Sequence, residues 1–147
     1  MIVQVQTAAL NAHAAIVVGR AAKFIARLVG DGASVGDAFT SAQHLLFHAS
    51  NAHCVTIMAM GFHSGVDAVA GKPRVAAVLR DVCNLFCLHQ IERVSGDLLE
   101  AGFMTPAQVK VVRSTVDALV LAVRRQAVPL TDAFNFTDKF LNSALGR

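Results

Sequence analysis

From Ala38 to Val66 the chain carries no Asp, Glu, Lys or Arg. A helical run of that length spans a bilayer, for which about 20 apolar residues suffice. His44, His48, His53, His63, Gln43, Asn51 and several serines lie inside it, however. Polar groups at that density are costly in lipid. The stretch therefore reads as a helix buried by protein and not as a membrane span. Its apolar positions are dense: Phe39, Leu45, Leu46, Phe47, Val55, Ile57, Met58, Met60 and Phe62.

The shortage of charge extends to the whole chain. Charged residues make up 16% of the 147, while the AVILMFWYC set makes up 54%; soluble proteins average about 25% charged. A self-sufficient helical bundle needs a polar outer face on each helix. Several helices here lack one, which implies surface that another polypeptide covers. The length fits one domain spanning residues 1–147, because domains commonly run roughly 100–200 residues. The net charge of +3 and pI of about 9.1 are mild. The basic residues are scattered without interleaved aromatics, which argues against a nucleic-acid partner. Arg124-Arg125 suits a helix C-terminus, where the macrodipole favours cations. Residues 1–19 lack a basic segment ahead of their apolar stretch, so they do not read as a cleavable targeting signal.

Turn signals divide the chain into four long helical patterns. The first runs from about Val3 to Val29 and stops at Gly30-Asp31-Gly32. Ser34 or Asp37 can cap a second helix continuing to about Val66, with Gly61 and Gly65 loosening its end. Gly71-Lys72-Pro73 opens a third, reaching Ser95 or Leu99. Its Val75, Leu79, Val82, Phe86 and His89 form one stripe, and Val78, Leu85, Leu88 and Ile91 another. Two stripes predict burial from two sides. Thr105-Pro106-Ala107-Gln108 then has the form of a capping box, and Val109, Val112, Val116, Leu119 and Val123 share one face of the fourth helix. That helix ends near Gln126, ahead of Pro129. Leu130 to Arg147 reads as short helical turns that pack through Phe134, Phe136 and Phe140. The fold class is all-α: an up-down bundle of about four long helices with a short helical C-terminal tail.

No catalytic, cofactor-binding or metal site emerges from these residues. His44 and His48 have a usable ligand spacing, but their helix supplies no acidic third ligand or base. The string His89-Gln90-Ile91-Glu92 reverses the di-iron order and is not repeated. Cys83 and Cys87 share a helix face with poor disulfide geometry, while His89 points elsewhere. They read as small buried hydrophobes, and three cysteines with Cys54 suit a reducing compartment. Asp97, Glu100 and Asp132 lie near helix boundaries, where capping and solvent exposure explain carboxylates.

Three segments carry a resemblance to a known family. Val78 to Met104, VLRDVCNLFCLHQIERVSGDLLEAGFM, is one, through Leu79, Leu85, Leu88, Ile91, Gly96, Asp97, Leu99 and Gly102. The second and more specific is Ala127 to Asp138, AVPLTDAFNFTD, followed by Leu141 to Arg147, LNSALGR. The third and weaker is Ala49 to Cys54, ASNAHC. Together, in this order, they resemble the C-terminal helical domain of acyl-CoA oxidases over roughly Phe47 to Arg147. Pro129 departs from the aliphatic residue usual there, and the chain reads as truncated at both ends of that domain.

The resemblance implies a parent flavoenzyme of fatty-acid β-oxidation in the peroxisome. Such enzymes use FAD to desaturate a fatty acyl-CoA to the trans-2-enoyl-CoA, and O₂ reoxidises the flavin to give H₂O₂. The family's glutamate base lies upstream of the part resembled here, so the resemblance assigns this chain no catalytic residue and no FAD of its own. It implies a packing and shielding role within a homodimer, covering surface that related dehydrogenases use for tetramer assembly. Read without the resemblance, the same residues describe a stand-alone helical interaction or dimerisation module.

Overall fold

The computed structural model describes residues 2–136 and 140, and among them every regular element is helical. Helix α1 spans Ile2–Gly30, α2 Val35–Ser41, α3 Gln43–Ala68 and α4 Pro73–Arg93. Helix α5 spans Ser95–Glu100, α6 Pro106–Arg124 and α7 Ala127–Asp132. The four long helices α1, α3, α4 and α6 pack in chain order, and α1 also touches α4. Short connections between long helices make neighbours in sequence neighbours in space, which is the all-α bundle expected.

Local chemistry sets the ends. At the end of α1, Ala33 N–H donates to Leu28 C=O at 3.0 Å and Gly32 N–H to Val29 C=O at 3.1 Å. Gly32 sits at φ 96°, the left-handed geometry that such a helix stop requires and glycine adopts freely. Gly102 repeats the device after α5 at φ 67°, with Phe103 N–H donating to Leu98 C=O. The capping box at α6 is formed: Gln108 N–H donates to Thr105 Oγ1 at 3.3 Å, and Thr105 N–H to Gln108 Oε1 at 2.8 Å.

One expected helix is broken, and another takes the earlier of its two expected ends. The second stops at Ser41, capped at its start by Ser34 Oγ, which accepts from Asp37 N–H at 3.1 Å. Ala42 lies at φ −88°, ψ 0°, and α3 starts after it. Ala38 and Ala42 are both fully buried, so the bend occurs where small side chains allow close approach. Helix α3 then runs through Gly61 and Gly65 to Ala68. The third stops at Val94 (φ −105°), beside the expected end at Ser95, and α5 follows as a separate short helix.

The core joins Ala9 and Leu10 of α1, Ala59 and Val66 of α3, Cys83, Cys87 and Ile91 of α4, and Leu98 of α5. Helix α4 does pack from more than one side, against α3, α6 and α1. Its fully buried line, however, is Ala76, Cys83, Cys87 and Ile91, and His89 and Val75 of the expected stripes are exposed. Helices approach closest over small residues, so the seam follows alanine and cysteine and the larger side chains flank it.

The outside is unusually apolar. The chain exposes 10149 Å², whereas a compact 15.5 kDa monomer exposes about 7,200 Å². Phe47 is 73% exposed and Met58 56%. Phe134, Phe136 and Phe140 are exposed as well, contrary to the expectation that they pack. Phe134 and Phe136 instead stack on each other, with ring centroids 6.1 Å apart. The expected helical turns over 137–139 and 141–147 lie outside the described residues.

Helix α3 is long and apolar enough to cross a membrane. Its Ala49, Ala52, Thr56, Ala59 and Val66 are buried inside the chain, against α1 and α4. A core helix of a bundle meets the same length and composition requirement.

Candidate functional site

Two clusters of polar or nucleophilic groups lie within the bundle. The first lines a cleft of about 570 Å³ between α1, α3 and the start of α5. His13 and Arg20 come from α1, His44 and His48 from α3, and Asp97 from α5. Arg20 donates from Nη1 to Asp97 Oδ1 and from Nη2 to Glu100 Oε2, the latter at 2.8 Å. His13 Nε2 lies 3.1 Å from Asp97 Oδ2. Asp97 and Glu100 are therefore not merely capping or solvated carboxylates. Asp97 lies in the first turn of α5, but it fastens that helix to α1.

Partial burial pushes the Asp97 carboxyl up, yet the hydrogen bond and charge of Arg20, joined by His13, outweigh it and hold the group below its ordinary range. The same hydrogen bond to Asp97 outweighs desolvation at Arg20 and raises its guanidinium further. With its oxygens occupied and its proton affinity lowered, Asp97 is a poor general base. His44 and His48 open onto the cleft and are exposed, and the His44 ring meets Phe24 edge-on at 6.1 Å.

The second cluster lies where α3 packs on α4. Cys83 and Cys87, one turn apart on α4, are 1% and 0% exposed, so burial is as expected. Their partner is not His89, which is exposed with Nδ1 4.0 Å from Glu92. It is His63 of α3: Nδ1 lies 3.4 Å from Cys83 Sγ, and Nε2 lies 3.7 Å from Cys87 Sγ. Burial pushes both thiols up, and the adjacent Cys83 helps to raise Cys87 to about 12. Neither is an activated nucleophile, because the thiolate is the reactive species. Nothing in the local sequence around His63 marks it for this role; only the packing of α3 on α4 brings it there.

Other residues weighed from the sequence stay apart from these clusters. Cys54 and His53 are exposed on α3, Asp132 closes α7 in solvent, and Arg124 and Arg125 are exposed at the end of α6. Neither the cleft nor the thiol cluster presents a carboxylate free to abstract a proton.

Comparison with known proteins places this architecture. Peroxisomal acyl-coenzyme A oxidase 2 of Oryctolagus cuniculus is 38% identical over 115 residues, 78% of this chain and 17% of the relative. The crystal structure of acyl-CoA oxidase 3 from Yarrowia lipolytica superposes with a TM-score of 0.86 at 30% identity, covering 99% of this chain and 21% of that one. Acyl-CoA oxidase-1 of Caenorhabditis elegans, complexed with FAD and ATP, superposes at 0.89 with 26% identity, covering 97% and 21%. The chain thus spans less than a quarter of the length of these relatives. Residues 3–147 match the sequence model of the acyl-CoA oxidase family, and the chain belongs to that family.

Proposed function

We propose that this chain is the C-terminal helical domain of a FAD-dependent acyl-CoA oxidase, a packing and shielding domain whose parent enzyme oxidises fatty acyl-CoA. The family match over residues 3–147 carries the reading. The parent reaction converts acyl-CoA and O₂ to trans-2-enoyl-CoA and H₂O₂ in the peroxisome, the compartment named for the rabbit relative. The catalytic base belongs to another part of the polypeptide.

The residues of the cleft do not fit a flavin dinucleotide. Its Arg20 is neutralised by Asp97 and Glu100, and Asp97 itself lines the wall, a poor setting for a pyrophosphate. What the chain's residues do is bury one side of each long helix and present apolar side chains outward. Phe47, Cys54 and Met58 lie on α3 opposite its buried Ala49, Ala52 and Thr56, and such a face is stable in water only under cover. The occupants are the rest of the oxidase polypeptide and, in the assembled homodimer, its partner.

The test compares the native polypeptide with the 147-residue chain. The native polypeptide purifies yellow and releases H₂O₂ from a fatty acyl-CoA; the isolated chain does neither. Stoichiometric flavin in the isolated chain, or a native polypeptide inert towards acyl-CoA, would overturn the proposal.

A further inference from the structure

The cluster at the α3–α4 seam is built from the donors that thiophilic metals select. Two sulfurs and one imidazole bring their ligand atoms within 4.8 Å of one another. Zinc bound tetrahedrally, with Zn–S about 2.3 Å and Zn–N about 2.0–2.1 Å, separates sulfur from nitrogen by about 3.6 Å. His63 meets the two sulfurs through different ring nitrogens, Nδ1 at 3.4 Å from Cys83 Sγ and Nε2 at 3.7 Å from Cys87 Sγ, so coordination requires the ring to turn until one nitrogen serves both. The spacing that suits a helix also suits the metal: residues four apart stand on one face, and His63 faces them from across the seam. The cysteines are free, so no disulfide competes for the sulfurs.

We propose that His63, Cys83 and Cys87 form a zinc site that pins α3 to α4. The two thiols release their protons as the ion binds. Zn²⁺ with two thiolates and a neutral imidazole carries no net charge, which matters where both sulfurs are buried. Three protein ligands leave a fourth position for water, reached from the side of His63, which is only partly buried. This site is independent of the oxidase reading: it serves the seam between helices and takes no part in the acyl-CoA reaction.

The experiment uses the native polypeptide, prepared without chelator and loaded with Zn²⁺ or with Co²⁺ as a spectroscopic substitute. One equivalent of tightly held zinc is expected. It is lost in Cys83→Ser, Cys87→Ser and His63→Gln, and retained in Cys54→Ser, which alters the exposed cysteine of α3. Cobalt gives a thiolate charge-transfer band and the visible bands of a tetrahedral ion, both absent in those three variants. His63→Gln guards against a folding artefact, since it alters a partly buried side chain and its helicity is checked by circular dichroism. A folded His63→Gln protein that binds zinc as tightly as the parent overturns the site. A cobalt complex without the sulfur band does so equally.

Discussion

Helices α3 and α6 differ in what their outer faces meet. Both bury a line of small or aliphatic residues, Ala49, Ala52, Thr56, Ala59 and Val66 in α3, and Val109 and Val116 in α6. On its other faces α6 exposes Lys110, Ser114, Asp117 and Arg124, together with Val111 and Leu121. Helix α3 exposes Phe47, Cys54, Ile57 and Met58 and has no charged side chain before Asp67. An amphipathic helix marks a boundary with water, whereas one apolar all round marks an interior. The α6 surface thus mixes charged with apolar side chains, whereas the exposed face of α3 carries large apolar side chains among neutral polar ones.

The most damaging change attacks the core that both helices share. Leu98 is fully buried there, with Ala59 of α3 in the same cluster and Val112 of α6 packed against it. Leu98→Ala leaves a cavity and destabilises the chain by about 2–5 kcal/mol, read from the urea midpoint. Next comes overpacking on the inner side of α3. Ala59 is 1% exposed, and Ala59→Leu costs about 1–3 kcal/mol because the seam has no room to yield. A midpoint unchanged by Ala59→Leu would mean that α3 is loosely held, and the contrast between its two faces would fail.

A smaller effect isolates the start of α6. Thr105→Ala removes the capping hydroxyl and costs about 1 kcal/mol, without disturbing α3. Smallest is the tie between α1 and α5, where Arg20 and Asp97 are partly exposed, so the pair is worth about 0–1 kcal/mol. The folded Asp97 carboxyl lies below its ordinary 3.8. Its contribution is thus present above that value and lost as pH falls through the lowered one. Asp97→Asn lowers the urea midpoint slightly at neutral pH, and the difference closes as pH falls through the lowered Asp97 value.

Local signals made much of the bundle readable. Thr105 with Gln108, Pro73, and the glycine stops are short-range devices whose chemistry is complete within a few residues. The bend at Ala42 is not readable, because no breaker marks it; it follows from how α2 docks, whereas the end of α4 at Val94 falls beside the expected stop at Ser95. The sites were the least legible. His63 meets Cys83 across 20 positions and Arg20 meets Asp97 across 77, and no periodicity within one helix encodes such pairings. The phenylalanines of the tail, Phe134, Phe136 and Phe140, predict packing, which is what aromatics do when a surface is available. Within the described residues that surface is not supplied by this chain.

The most direct test of a covered α3 face is oxidative side-chain labelling of Phe47 and Met58, compared between the isolated chain and the native polypeptide. Both label readily in the isolated chain, where they are exposed, and both are protected in the native polypeptide while the ammonium of Lys110 stays open to amine reagents. Equal labelling of Phe47 and Met58 in the two samples would contradict the account.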